Sequence, residues 1–84
     1  MSEENVTKVE GTEIWNMIVV NSKDPILVMF YGPNCPQYQM MDPYFELYAK
    51  EFEGKVKFIR VNITDNLVIA AKYGVQGTPT FKLF

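Results

Sequence analysis

The sequence predicts an α/β layer fold, and three observations carry that expectation. Segments with strand and helix signals alternate as β-α-β-α-β-α-β along the 84 residues. One uninterrupted apolar run, Ile26-Leu27-Val28-Met29-Phe30-Tyr31, has the character of a central strand covered on both faces. Gly, Pro and Asn/Asp clusters punctuate the chain between these segments. Such alternation favours right-handed parallel crossovers in the first part of the chain. A chain of this length forms one domain, 1–84, and buries about 60 to 65% of the surface its unfolded form exposes, so modest stability is expected.

Residues 6–9 supply a short first strand. Gly11-Thr12 then offers a turn and N-cap for a helix whose Ile14, Trp15, Ile18 and Val19 share one apolar face. Asp24-Pro25 breaks that pattern ahead of the central strand. Gly32-Pro33-Asn34 ends the strand, and from Pro36 the residues Tyr38, Met41, Phe45, Tyr48 and Phe52 recur at steps of three and four, which predicts a long amphipathic helix. Pro43 falls inside it, where a lost backbone hydrogen bond predicts a bend costing about 3 kcal/mol or more unless packing compensates. Gly54 ends that helix, residues 56–63 read as a strand, and Thr64-Asp65-Asn66 offers N-caps for a short helix through Tyr73, with Gly74 as its stop. A Gly/Pro loop then leads into an apolar strand from Thr80 to Phe84.

Composition excludes several classes of function. The chain is 48% hydrophobic and 21% charged, with no apolar run approaching the ~18 residues of a membrane span, so a soluble domain is expected and no membrane partner. The net charge of −2 comes from interspersed signs without a basic cluster, which speaks against nucleic acid. Residues 1–5 lack the cationic and apolar regions of a secretory signal, so the simplest address is cytoplasmic. Asn5-Val6-Thr7 and Asn62-Ile63-Thr64 match the glycosylation pattern, but that modification needs a secreted context.

One cysteine and no histidine leave no intramolecular disulfide, no Cys/His zinc site and no Cys-His or Ser-His pair. Met29, Met40 and Met41 read as core or helix residues rather than metal ligands, and Gly32 and Gly54 form no phosphate loop, so no metal or cofactor is expected. Asp42 and Glu46, four apart on the predicted helix, read as a mutually repelling, solvated pair. Covalent chemistry therefore falls on Cys35. A free cysteine is usually a small buried hydrophobe. Here it lies in a loop that opens a helix, where unpaired N–H groups and the helix dipole favour a thiolate.

Four elements in order resemble the thioredoxin family: the aromatic pair Phe30-Tyr31, Cys35 five positions past Phe30 in Gly32-Pro33-Asn34-Cys35-Pro36-Gln37-Tyr38, Pro43 eight past the cysteine, and Gly74-Val75-Gln76-Gly77-Thr78-Pro79-Thr80. The resemblance runs from about Val6 to the last residue and implies a thioredoxin fold with a mixed central sheet of about four strands and helices on both faces. It makes Cys35 the attacking thiol and Pro79 a cis-proline facing it. Tyr31, Thr78 and Pro79 then line a groove in which Thr78 offers backbone groups to an extended peptide.

Three departures qualify the resemblance. Tyr38 stands where the family has its second cysteine, so an intramolecular release step is missing and turnover would need an external thiol such as glutathione. Its hydroxyl could reach the Cys35 thiolate, but a core role for the ring is the simpler reading. Met29 occupies the place of a buried acid, and Arg60, where a lysine is common, is expected to snorkel to solvent. The family's further strand and closing helix are absent after Phe84, as in a chain cut short there, which leaves the strand from Thr80 to Phe84 as an exposed edge.

The resemblance thus implies a thiol-disulfide oxidoreductase of monothiol type in cell redox homeostasis, acting on protein or peptide disulfides, with activity itself an open question. The alternative is a non-catalytic peptide-binding module using the groove beside Pro79. A homodimer could form through Cys35 or through the exposed edge strand.

Overall fold

The computed structural model describes residues 6–84, so residues 1–5, which carry the expected cytoplasmic N-terminus and Asn5 of the first glycosylation match, lie outside the described residues. Four strands and three helices alternate in the expected order: β1 (Val6–Lys8), α1 (Thr12–Trp15), β2 (Ile26–Tyr31), α2 (Pro36–Glu51), β3 (Lys57–Asn62), α3 (Leu67–Lys72) and β4 (Thr80–Leu83). The sheet order is β1-β3-β2-β4. β3 pairs parallel with both β1 and β2, whereas β4 pairs antiparallel with β2, so the sheet is mixed and β4 is an edge.

The alternation of side chains along β2 explains its unbroken apolar run. Ile26, Val28 and Phe30 point to one side, into a core with Val9, Trp15, Val19, Ile59, Val61 and Ile69. Met29 points to the other, with Val6, Phe45, Ala49 and Phe58, and Leu27 packs against that group. Each fully buried side chain of this size contributes about 1.5 to 3 kcal/mol, which is why two thin cores suffice for so short a chain. Met29 is wholly buried among apolar neighbours, so this part of the sheet holds no acid on β2.

Local boundaries differ from the expected ones for identifiable reasons. The first helix is not regular: after four residues it widens into a π turn over Asn16–Val20, where the Asn21 N–H reaches back five residues to the Asn16 carbonyl. The β-branched run Ile18-Val19-Val20 is a poor continuation of a tight helix. Ile14, expected on the buried face, is exposed, while Trp15 and Val19 are buried. α2 continues through Pro43 to Glu51, and Gly54 sits two residues past its C-cap Phe52 with φ 84°. β4 stops at Leu83, although Phe84 still exchanges two backbone hydrogen bonds with Ile26, at 2.7 and 3.0 Å.

α2 also buries less than its periodicity implied. Phe45 and Ala49 are buried, but Met41, Tyr48 and Phe52 are exposed and line, with Tyr44 and Phe81, an apolar groove of about 180 Å³ beside the β4 edge. Asn66 is the N-cap of α3, but its side chain does not cap the helix. It is buried, accepts the Gly11 N–H at 2.7 Å and donates to the Asn62 carbonyl at 2.8 Å, tying the end of β1 to the end of β3.

No described helix is long and apolar enough to cross a membrane.

Candidate functional site

The site lies where β2 hands over to α2. Cys35 is the N-cap of α2, with the extended backbone (φ −90°, ψ 114°) that N-cap residues adopt, and Pro36 follows in the first helical turn, where a missing N–H costs nothing. The Gly32-Pro33-Asn34 loop folds under the cysteine through a bond from the Cys35 N–H to the Gly32 carbonyl at 3.3 Å. Pro33, Asn34, Pro36 and Gln37 are exposed, while Gly32, Cys35 and Tyr38 are half-buried.

The loop before β4 completes the site from 43 residues away. The Cys35 thiol donates to the Thr78 carbonyl at 3.2 Å and lies 3.4 Å from Gln37 Oε1. The Thr78–Pro79 peptide bond is cis. Thr78 also stands against Gly32, where an added Cβ would meet its Oγ1 at 3.5 Å. All ten residues singled out from the sequence thus fall at one end of the sheet: the run from Tyr31 to Tyr38, and the facing pair Thr78 and Pro79.

The electrostatics of Cys35 favour ionisation. Its pKa is lowered first by a hydrogen bond from the Thr78 side chain and then by the backbone N–H of Tyr38; desolvation opposes these, and the backbone N–H of Gln37 adds a smaller lowering. Neither N–H closes a geometrically complete cap onto the sulfur. Both nevertheless belong to the open first turn of α2, whose unpaired donors a thiolate can use and a thiol cannot. The Thr78 carbonyl belongs to the other protonation state, since it accepts the proton of the thiol.

Tyr38 is a packing residue. Its ring stacks on Tyr31 with centroids 4.3 Å apart and planes 19° from parallel, and it packs against the core group that contains Met29 and Phe45. Burial, with Asp42 next, pushes the phenol pKa up and keeps the hydroxyl protonated.

The structure corrects two expectations about charge. Arg60 does not run out to solvent, and Asp42 and Glu46 are not a free repelling pair. Arg60 Nη2 donates to Asp42 Oδ1 at 2.6 Å and to Glu46 Oε2 at 3.1 Å, with the guanidinium side chain only 18% exposed. Side-chain alternation places Arg60 on the same side of β3 as Phe58, facing α2, so the carboxylates on that helix meet it before solvent does. Burial opposes the Arg60 charge, but Asp42 and Glu46 outweigh it and raise its pKa. Asp42 shifts up as well, because burial there exceeds the pull of Arg60 and Glu46 adds repulsion. The two directions are compatible: one cation gains from two anions, while each anion shares one cation. Two acids at i and i+4 opposite an Arg on a helix-facing strand position was the signal available in the sequence.

Among the described residues no cluster of His, Cys, Asp and Glu is placed to hold a metal ion. A single thiol presented at a helix mouth, opposite a Thr-Pro loop and above a mixed four-stranded sheet, defines a thioredoxin-like α/β protein. The comparisons make the assignment narrower. The thioredoxin family model matches residues 5–84, and the chain belongs to that family. It is 42% identical over 66 residues to a thioredoxin of Haemophilus influenzae and 38% identical over 66 residues to one of Porphyra purpurea, each match covering 79% of this chain and 62% of the relative. A chloroplastic thioredoxin M5 of Oryza sativa subsp. japonica is 39% identical over 70 residues, covering 83% of this chain and 41% of that one. Among solved structures, the J-Trx1 fragment of ERdj5 superimposes with a TM-score of 0.84 at 27% identity, covering 96% of this chain and 39% of that chain. The matches to the Haemophilus and Porphyra proteins thus take in less than two thirds of the relatives' own length.

Proposed function

We propose that this chain carries out monothiol thiol-disulfide exchange, with Cys35 as its single nucleophile. The observation that supports the reading best is the placement of Cys35 Sγ at the open N-terminus of α2, 3.2 Å from the Thr78 carbonyl. The Cys35 thiolate attacks one sulfur of a protein or peptide disulfide, the S–S bond breaks, and the other sulfur leaves as a thiolate. The product is a mixed disulfide at Cys35. An external thiol, glutathione being the obvious class, attacks the substrate sulfur of that disulfide and Cys35 leaves as its thiolate. A second external thiol then frees the substrate sulfur, and the two external thiols leave as their own disulfide. They are needed because Tyr38 supplies no second sulfur and β2 supplies no acid at Met29.

Once Cys35 has lost its proton, the Thr78 carbonyl is released from the thiol and can accept a backbone N–H from the substrate. An extended peptide would then lie along Thr78 and the cis-proline Pro79, against Tyr31 and Tyr38. Family membership supports protein disulfides as the substrate class and redox homeostasis as the setting. The cytoplasm is the compartment whose reducing thiols suit such a cycle.

The stacked Tyr31–Tyr38 pair favours one alternative, a binding module that holds a peptide in the same groove without exchange. Insulin-disulfide reduction in glutathione buffer separates the two. Exchange predicts that Cys35→Ser removes all rate above the glutathione background. A Cys35→Ser protein as fast as wild type would leave only the binding module.

A further inference from the structure

α2 has a weak point between its functional end and its anchored end. Pro43 carries no N–H, so the Gln39 carbonyl loses its helical donor and the two halves of the helix are joined by one hydrogen bond fewer. The far half is held by buried Phe45 and Ala49. The near half carries Gln37 and Tyr38, whose N–H groups face the Cys35 sulfur, and its residues 36, 37, 39, 40 and 41 are exposed. The Tyr31 stack holds the Tyr38 ring. Besides the packing of the Tyr38 ring against the group around Met29, an ionic contact reaches this half from the sheet: Arg60 to Asp42, the residue immediately before Pro43 and one turn after Tyr38. The same Nη2 atom also takes Glu46, one turn later and beyond Pro43.

We infer that Arg60 is a positioning residue for Cys35: by gripping Asp42 and Glu46 on either side of Pro43, it staples the first turns of α2 to β3 and so fixes the backbone donors that surround the thiol. The inference rests on Cys35 being the working nucleophile, as proposed above. The ionic contact is short and largely shielded, at 2.6 Å between side chains 18% and 23% exposed, so solvent screens it less than a surface pair. No charged side chain is among the causes that shift Cys35, which fits a mechanical route from Arg60 to the thiol in place of a direct Coulomb one.

Asp42→Ala decides the matter, because stapling and simple electrostatics predict opposite signs. Removing a negative charge from α2 would by Coulomb's law ease ionisation of Cys35. Removing the near-side anchor loosens the donors and makes ionisation harder. Alanine is the best helix former, so the helix itself survives the change. The measurement is the pH dependence of Cys35 alkylation in wild type, Asp42→Ala, Glu46→Ala and Arg60→Met, with circular dichroism to establish that each is folded. The expected result is a higher ionisation midpoint in Asp42→Ala and Arg60→Met, with alkylation below the wild-type midpoint slowed about threefold, as a half-unit rise requires. Glu46→Ala should move the midpoint less, since Phe45 and Ala49 still hold that half. An unchanged or lowered midpoint in Asp42→Ala overturns the inference, and so does a larger rise in Glu46→Ala than in Asp42→Ala. A wild-type midpoint already at the ordinary thiol value is a different failure, that of the exchange reading itself.

Discussion

At the scale of single residues, the chemistry turns on what stands three positions after Cys35. Tyr38 gives the helix an aromatic ring that stacks on Tyr31 and seals the sheet, where a second sulfur would have given an exit from the mixed disulfide. Tyr38→Cys should therefore shorten the life of a mixed disulfide at Cys35, and the released product should be found with an intramolecular disulfide, two mass units lighter by intact mass spectrometry than the dithiol form. A mixed disulfide equally persistent in both proteins would mean that the missing sulfur is not what limits release. Ionisation of Cys35 also bears on stability. Its folded pKa lies below the unfolded one, so its contribution is complete above the unfolded midpoint, about 8.5, and is lost as pH falls through the folded midpoint. Urea unfolding of wild type and Cys35→Ser should thus show a stability difference that grows in favour of wild type between the folded midpoint and about pH 8.5. A difference independent of pH would contradict it.

At the scale of elements, periodicity located the strands and helices but could not show which apolar residues find a partner. The β2 run announced itself because both of its faces are covered, and its five buried residues, Ile26 and Val28 to Tyr31, are what that pattern means. The amphipathic pattern of α2 was equally visible, yet only its Phe45 and Ala49 reach the core, while Met41, Tyr48 and Phe52 line an open groove. Whether a stripe is covered depends on what lies across from it, which no local pattern records. The consequence is measurable within one helix. Phe45 packs between Phe58 and Phe81 in tilted contacts with centroids 5.0 and 5.9 Å away, so Phe45→Ala should cost about 3 to 5 kcal/mol. Leu47, exposed on the same helix, should change stability by about 0.5 kcal/mol or less when cut to alanine. Denaturant titrations of the two variants check the contrast, and equal costs would show that α2 is not anchored through Phe45. Arg60 illustrates the other limit on reading the sequence, since a lone basic residue in a strand is assigned to solvent unless its long-range partners are known. Asp42 and Glu46 were in view as an i, i+4 pair, but their common cation lies 18 and 14 residues away, respectively.

At the scale of the whole molecule, the site exists only when distant parts of the chain meet. Cys35 and Thr78 are brought together across 43 residues by the antiparallel pairing of β4 with β2. The motif around Cys35 and the Thr-Pro loop could each be read in the sequence, as could their meeting through family likeness; the hydrogen bonds that join them could not. Asn66 performs a similar task at the same end of the sheet, holding Gly11 and Asn62 from a buried position that its reading as a helix cap did not foresee. Asn66→Ala should cost about 1 to 3 kcal/mol for each buried group it orphans, seen as a lower urea midpoint with unchanged slope. A neutral effect would show that water replaces the side chain. The claim beneath all of this is that folding itself turns an ordinary thiol into a nucleophile. Its most direct test is the thiolate absorbance of Cys35 titrated in native protein and again in guanidinium. A native midpoint clearly below the unfolded value of about 8.5 is the predicted result, and coincident midpoints would contradict it.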